Sequence, residues 1–313
     1  MKVLITGSTG FVGRYIVNAL LSEGFEIASP VRDLDKLRRL YGDKVKGYKV
    51  DFESKASIRK AFEDFDPQYI IHLIGILYEE QSKGITFHKV HYLYSRNLYE
   101  VAREFGVKKI LHMSTLGTHK DAPSSYHKTK YRAEQELIKI GIDYVIFRPS
   151  LILGPEQRLF FDMWRITRYI RVIAIPDLGN YLFQPVDVRD VACCFLKALT
   201  QQKVSGRIYE VCGNKKVSFK ELLRDIFSYW QRKVLLLPVP KAFMYVGGLL
   251  MERIIEPPPF SSDQMLMMWR DNICGLDEDV EPEGVKKLCG REPIDYEESL
   301  RWSLQEFEKR LVS

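Results

Sequence analysis

The fold of this chain can be predicted from Thr6-Gly7-Ser8-Thr9-Gly10-Phe11-Val12-Gly13, which joins an apolar run, Lys2–Thr6, to an amphipathic one. Gly7 permits a tight strand-to-helix turn, Gly10 lets the backbone approach a pyrophosphate, and Gly13 removes a side chain where helix meets strand. Free N–H groups and the positive end of the helix dipole then favour phosphate. The nucleotide contacts predicted from this turn are Thr6, Gly7, Thr9, Gly10, Phe11, Val12 and Gly13.

The first 150 residues alternate short β-branched runs with amphipathic runs, a pattern typical of a parallel sheet with crossover helices. The predicted strands are Lys2–Thr6, Glu26–Val31, Gly47–Val50, Tyr69–Ile74, Lys109–Met113 and Asp143–Phe147. The predicted helices are Phe11–Glu23, Asp35–Leu40, Lys55–Phe65, Phe87–Phe105 and Ser125–Ile140. This order indicates an α/β fold with a doubly wound parallel Rossmann sheet, and its ligand crevice lies at the carboxyl ends of the strands.

After residue 150 the alternation loosens, so 1–150 is predicted to be the NAD(P)-binding domain and 151–313 a smaller, mainly helical substrate lobe packed on it. A strand and helix near 184–200 are expected to return to the core, and Arg207–Val211 to form a strand. The helices predicted in the lobe are Arg158–Val172, Ser218–Trp230, Lys241–Ile255, Ser261–Asp271 and Tyr296–Leu311.

The end of the second strand bears on the choice of cofactor. An acidic residue there binds ribose hydroxyls in NAD sites, whereas this chain has Arg32, which could pair with a 2′-phosphate with help from Lys36 or Arg38. Asp33 could serve a ribose instead, and Arg32 could simply be solvated. We expect NADP(H) in preference to NAD.

Three further strand-end residues are candidate nucleotide contacts. Asp51 and Phe52 would touch the adenine edge, and Gly75 would leave room for a ribose. Each could equally be an ordinary strand terminus.

A tyrosine and a lysine four residues apart, Tyr126 and Lys130, would share one helix face. A neighbouring ammonium lowers the pKa of a phenol, which would make the tyrosine a workable acid or base, and Lys130 could also bind the nicotinamide ribose. Ser114 and Thr115 end the fifth strand, and Thr115 is the better placed hydroxyl. Such a pair often arises by chance on a surface helix, but after a glycine turn it indicates a catalytic trio of Thr115, Tyr126 and Lys130.

These motifs together resemble the short-chain dehydrogenase/reductase superfamily in its atypical or extended, NAD-dependent epimerase/dehydratase-like branch. Asp187–Ala192 and Tyr209–Gly213 resemble later segments of that branch. The tail from Ser262 to Asn272 is similar to bacterial relatives of the NADPH-binding accessory subunit of respiratory complex I.

The resemblance implies an oxidoreductase that transfers hydride to or from a carbonyl or alcohol, with Pro149 and Ser150 beside the nicotinamide. An epimerase or dehydratase with retained cofactor would use the same parts. The alternatives are a non-catalytic nucleotide-binding subunit of a respiratory membrane complex and a redox sensor. Two departures stand out: His91 occupies a position where extended members often have asparagine, and Met113-Ser114-Thr115 replaces a serine run.

The net charge and the positions of the histidines and cysteines indicate which ligands and which cellular location to expect. The net charge of +6 is mild and spread along the chain, so nucleic acid is not expected. The histidines lack a metal-ligand pattern, so no metal is assigned. Cys193 and Cys194 lie in an apolar helical stretch and are predicted to be buried free thiols, as in a reducing cytoplasm.

Two apolar stretches allow two interpretations of where in the cell the protein is located. In Leu159–Arg171, arginines recur at 165, 168 and 171 among large apolar side chains, and Phe243–Met251 is apolar as well. Each could be a lid packed on the substrate pocket. If exposed, they would favour a lipid-like or quinone-like substrate, or docking at the inner membrane face instead of a purely cytoplasmic location.

Overall fold

The computed structural model describes residues 1–201, 204–254 and 260–312. Its first six strands are β1 (Lys2–Thr6), β2 (Glu26–Val31), β3 (Val45–Lys49), β4 (Tyr69–His72), β5 (Lys109–Met113) and β6 (Asp143–Pro149). The later strands are β7 (Ile152–Leu153), β8 (Val172–Pro176), β9 (Leu182–Phe183), β10 (Val186–Asp187), β11 (Arg207–Val211), β12 (Val217–Ser218) and β13 (Leu235–Val239).

The helices surround these strands. The first six are α1 (Phe11–Ser22), α2 (Leu34–Tyr41), α3 (Lys55–Phe65), α4 (Tyr94–Glu104), α5 (Ser125–Lys139) and α6 (Arg158–Thr167). The others are α7 (Val188–Thr200), α8 (Phe219–Tyr229), α9 (Lys241–Ile254), α10 (Ser262–Met267), α11 (Gly284–Cys289) and α12 (Tyr296–Val312).

Seven strands form one parallel sheet in the order β11-β6-β5-β4-β1-β2-β3. Apart from β11 at one edge, this is the 3-2-1-4-5-6 order of the dinucleotide-binding fold, and the order reverses between β1 and β4. The predicted doubly wound α/β architecture is therefore confirmed, and the crevice at the carboxyl ends of β1 and β4 is the place for a ligand.

Each face of the sheet has its own apolar core. On one face, α1 and α7 bury side chains such as Ile16 and Phe195 against β1 and β6. On the other, α3, α4 and α5 bury side chains such as Phe62, Leu98 and Leu137. A third core, centred on Phe160 and Leu223, joins α6, α8 and α12. The chain therefore returns from residue 186 onward to the central sheet through α7 and β11.

Several element boundaries differ from prediction because long-range contacts decide them. The helix predicted over Phe87–Phe105 begins with a π-helical turn, His88–Leu93, before α4. The helix predicted to reach Val172 ends at Thr167, since Val172–Pro176 pairs in parallel with Leu235–Val239. The predicted end of α9, Ile255, lies outside the described residues.

The cysteine prediction is wrong for Cys193. Cys193 forms a disulfide with Cys289, and Cys212 forms one with Cys274, whereas Cys194 is a buried free thiol as predicted. The first bridge arises because α11 packs against α7, a contact between residues 96 positions apart that local sequence does not reveal. Because four of the five cysteines form disulfides, the cysteines no longer support the prediction of a reducing cytoplasm. No helix in the described ranges is long and apolar enough to cross a membrane.

Candidate active site

The glycine turn is built for close approach to an anion. Gly7 has a φ of +73°, and the Gly10 N–H donates to the Gly7 carbonyl at 3.0 Å. Helix α1 then begins at Phe11, with no side-chain cap from the described residues and no acidic residue in its first turn. Backbone N–H groups at a helix start with these properties form an anion site. The turn therefore fits a dinucleotide pyrophosphate.

Gly13 offers a test of this fit. A Cβ on Gly13 would lie 2.2 Å from the Gly7 carbonyl oxygen, so the turn would have to move. Because the displaced turn would no longer present its N–H groups to a pyrophosphate in the same geometry, we expect Gly13→Ala to weaken NADPH binding roughly tenfold or more by calorimetry, a loss of about 1.4 kcal/mol or more. The matched control is Gly247→Ala in α9, where a Cβ meets Phe260 at an ordinary 3.5 Å. Equal NADPH affinity in the two variants would contradict the assignment.

Thr6 and Thr9 flank the glycine turn but do not line the cavity beside it. The Thr6 hydroxyl is fully buried, 2.8 Å from His72 Nδ1, and accepts the Leu73 N–H at 3.2 Å. It supports the turn from inside the sheet. Thr9 is half-buried and does not line the crevice.

A crevice of about 430 Å³ opens above the turn and brings the two predicted motifs together. The predicted site residues that line it are Gly7, Gly10, Phe11, Val12, Gly13, Gly75, Thr115, Tyr126, Lys130, Pro149 and Ser150. A Cβ at Gly75 would lie 3.2 Å from Lys130 Nζ, so the ammonium would have to shift by a few tenths of an ångström to accommodate a side chain there. The nucleotide turn and the candidate trio thus share one cavity.

Tyr126 and Thr115 both line this crevice. Burial raises the pKa of Tyr126 to about 12, the Thr115 hydroxyl opposes this rise, and the nearby Asp263 carboxylate adds to it. Lys130 is buried, its Nζ donates to the Met113 carbonyl at 3.1 Å, and burial lowers its pKa to about 8. The lowered phenol pKa expected from the Tyr-Lys spacing is therefore absent, because desolvation of both groups dominates.

The start of α5, which carries Tyr126 and Lys130, is held by a residue from the far end of the chain. Asp263 accepts the backbone N–H groups of Ser125 at 2.7 Å and Tyr126 at 3.1 Å, so its carboxylate satisfies the helix N-terminus. The sequence-based prediction missed this role because the contact spans 137 residues.

His91 fixes the same helix from another side. Its Nδ1 lies 3.0 Å from the Thr129 hydroxyl, its Nε2 accepts the Ile76 N–H at 3.0 Å, and its ring meets Tyr126 edge-on with centroids 5.2 Å apart. Burial lowers the His91 pKa well below its ordinary value, so the ring is neutral. His91 therefore holds α5 in place through Thr129 and Ile76. The sequence alone does not show how a histidine at this position could do so.

Pro149 and Ser150 line the crevice, and the Ser150 hydroxyl is already engaged in a hydrogen bond. Its hydroxyl is 2.7 Å from the Asn272 Oδ1, and the same oxygen accepts the Leu151 N–H at 3.2 Å. Asn272 therefore fixes the floor of the crevice beside β6, a second contribution from the C-terminal tail.

The predicted adenosine-side residues lie outside this crevice. Arg32 is exposed at the end of β2, while Asp33 caps α2 by accepting the Lys36 N–H at 2.9 Å. Asp51 is exposed and accepts the Glu53 N–H at 2.9 Å. Phe52 is buried in the core against Tyr94, so its ring does not face the crevice.

The doubly wound sheet, the glycine turn and the Thr-Tyr-Lys cluster define a nucleotide-binding protein of the Rossmann type. The NAD dependent epimerase/dehydratase family model matches residues 3–212. The chain belongs to this family.

The sequence is similar to that of a mitochondrial NADH dehydrogenase subunit from several organisms. The chain is 28% identical over 284 residues to the NADH dehydrogenase [ubiquinone] 1 alpha subcomplex subunit 9 of Arabidopsis thaliana, covering 86% of this chain and 70% of the relative. It is 29% identical over 261 residues to the Mus musculus subunit, covering 81% and 68%.

Solved structures share the fold at lower identity. A Thermus thermophilus UDP-glucose 4-epimerase in complex with NAD aligns with a TM-score of 0.72 and 21% identity, covering 98% of this chain and 99% of the other. An NADPH-dependent quinone oxidoreductase from Escherichia coli, complexed with NADPH, aligns with a TM-score of 0.73 and 17% identity, covering 99% and 100%. These likenesses establish the fold alone.

Proposed function

We propose that the protein is an NADP(H)-dependent oxidoreductase of the short-chain dehydrogenase/reductase type, acting on a carbonyl or alcohol substrate. The observation that carries the proposal is the shared crevice: Thr115, Tyr126 and the buried Lys130 border the same cavity as the Gly7–Gly13 turn. NAD(P) binding follows from the family, and the preference for NADP is part of the proposal.

Each residue then has a defined role. The turn from Gly7 to Gly13 would hold the pyrophosphate of a dinucleotide, whose nicotinamide would supply or accept the hydride. Tyr126 gives a proton to the substrate oxygen or takes one from it, and Thr115 orients that oxygen. Lys130 supports the phenol and hydrogen-bonds the ribose. A pKa of about 8 keeps Lys130 substantially protonated at neutral pH.

The reaction itself is testable with the purified protein. NADPH consumption in the presence of simple ketones or aldehydes, with one alcohol formed per NADPH, would support the proposal. Mass spectrometry of the co-purifying nucleotide should find NADP⁺ or NADPH. Conversion of a hydroxylated substrate to an isomerised or dehydrated product with no net change in the nucleotide would instead indicate an epimerase or dehydratase with retained cofactor.

The NADP preference predicts a specific loss in Arg32→Ala. Asp33 is occupied as a helix cap, so the exposed Arg32 is the charge at the end of β2 available to a 2′-phosphate. A charge-assisted contact of this kind is worth roughly tenfold to a hundredfold in affinity, so NADPH binding should fall by that factor while NADH binding stays constant. Calorimetry with both nucleotides checks this, with Arg39→Ala in α2 as the control. A parallel fall for NADH would contradict it.

A second candidate function is that of a non-catalytic accessory subunit of a respiratory membrane complex. It is favoured by the two relatives reported above and by an apolar, basic surface. The α6 region exposes Phe161, Tyr169 and Ile170 together with Arg165, Arg168 and Arg171, and α9 exposes Phe243, Val246, Leu250 and Ile254. Both stretches thus leave large apolar side chains in solvent.

A pull-down from the native membrane separates this candidate from the enzyme. Recovery of stoichiometric respiratory subunits with the tagged protein would support it, provided that charge reversal at Arg165 and Arg168 abolishes recovery. A protein that stays monodisperse without detergent and recovers no membrane subunit would exclude it.

A further inference from the structure

A second cavity adjoins the crevice and has a different character. Its volume is about 460 Å³, within the range of small-molecule pockets, and it lies among α6, β8, α8 and α10. Five residues line both spaces: Thr115, Leu151, Phe183, Met267 and Asn272. The Thr115 hydroxyl therefore stands where the nucleotide crevice ends and the second cavity begins.

The lining of the second cavity is apolar and adaptable. Five of the chain's eight methionines border it, at positions 163, 244, 265, 267 and 268, together with side chains such as Ile166 and Leu223. Unbranched, polarisable thioethers accommodate apolar ligands of varied shape. The arrangement suits a flexible apolar chain.

The charged side chains of the cavity lining do not suit the binding of a ligand that carries a diphosphate. Asp162 is the one formally charged side chain among the described lining residues, and it is paired with Arg158 at 3.2 Å. His127 also lines the cavity, but burial lowers its pKa to about 4, so it is neutral at physiological pH. An anionic ligand would meet a carboxylate here and find no described lysine or arginine on the wall.

We propose that this cavity binds the apolar chain of an amphiphilic ketone, aldehyde or secondary alcohol, whose oxygen lies between Thr115 and Tyr126. The inference rests on the proposed function and specifies its substrate class. The chain would lie among the methionines of α10 and the apolar face of α6, and the polar head would lie at the shared boundary with the crevice.

The cavity has an apolar route to solvent. Val172 and Ala174 of β8 line it and are exposed. Their partners across the β8–β13 pair, Leu235 and Leu237, are 63% and 48% exposed. An apolar chain arriving from a lipid surface would therefore meet aliphatic side chains before it reaches the interior.

Binding can be measured without turnover, using the uncharged dye N-phenyl-1-naphthylamine. We expect saturable fluorescence enhancement at one dye per chain. Ala174→Trp should weaken it at least tenfold, because an indole would occupy the lining. Leu237→Trp, on the adjacent strand position outside the lining, should leave it within twofold. Thermal melting confirms that both variants fold. Non-saturable binding, or equal binding by the two variants, would overturn the proposal.

A series of 2-alkanones then separates this proposal from the proposed function. Displacement of the dye should tighten roughly three- to fourfold per added methylene until the cavity is full. If the ketones displace the dye in this way but none consumes NADPH, the cavity assignment holds and the reductase function fails. If short and long ketones are reduced with equal efficiency and the dye does not bind, the function holds and the cavity assignment fails. Micromolar displacement of the dye by UDP-glucose would also overturn the assignment.

Discussion

Turnover by a Tyr126→Phe variant should fall by about 10²–10⁴-fold, the range that a positioned proton donor contributes. The substitution removes one hydroxyl from the crevice, which Thr115 also lines. The ring contacts with His91 and Phe87, at 5.2 and 5.7 Å between centroids, are preserved in phenylalanine. The loss should therefore fall on the chemical step and leave the fold intact.

The measurement is NADPH consumption with a 2-alkanone, accompanied by calorimetric titration of NADPH. The variant should bind NADPH within twofold of the parent protein, since the residues proposed to hold the pyrophosphate and the 2′-phosphate are unchanged. Tyr131→Phe is the matched control: Tyr131 is a half-buried tyrosine on the same helix that does not line the crevice. Its activity should be unchanged. Undiminished turnover in Tyr126→Phe would rule out Tyr126 as the proton donor.

Local pattern predicted the parts of the site that are local in sequence. Strands β1, β2 and β5 begin and end where predicted, because each is a short, mostly apolar run close to a glycine turn. Local sequence likewise places Thr115 just after a strand and places Tyr126 and Lys130 on one face of a helix. These residues lie near the glycine turn because the carboxyl ends of parallel strands lie at the same edge of the sheet.

The contributions of the C-terminal tail could not be predicted in this way. Asp263 caps α5 and Asn272 fixes Ser150, and each joins residues more than 120 positions apart. The hydrophobic periodicity of the sequence does not predict these two contacts, because they depend on how the C-terminal lobe packs on the sheet. The sign of the Tyr126 pKa change was missed for a related reason: burial is a property of the folded chain, whereas spacing shows only that a lysine is near.

A second large effect is expected at Arg148, which lies inside the protein between α5 and the tail. Its guanidinium holds the buried carboxylate of Glu134 through two bonds of 3.0 and 2.6 Å and reaches Asp277 at 3.2 Å. Asp277 in turn is held by Arg270 at 2.8 and 2.9 Å. Removing the guanidinium leaves Glu134 charged and buried with no described partner. Arg148→Met should therefore destabilise the protein by about 3–5 kcal/mol.

Urea denaturation followed by circular dichroism measures this loss. The control is Arg59→Met, which breaks a two-bond pair of similar geometry with Glu104, at 2.7 and 2.9 Å, on the exposed surface. Water screens that pair, so the urea denaturation midpoint of Arg59→Met should be close to that of the parent protein. Equal midpoints for Arg148→Met and Arg59→Met would show that burial does not decide the strength of the Arg148 pair.

The double variant Arg148→Met/Glu134→Met separates the strength of the pair from the cost of an unpaired charge. Replacing both partners by apolar side chains leaves no buried ion, so much of the lost stability should return. Glu134 also opposes the fall that burial causes in the Lys130 pKa. Without that carboxylate, the Lys130 pKa should drop further and the lysine should be neutral over more of the physiological range. The double variant should consequently regain its fold while its activity falls at a lower pH than that of the parent protein, which a pH–rate profile would detect. Recovery of stability with an unchanged profile would mean that Glu134 acts only on the fold.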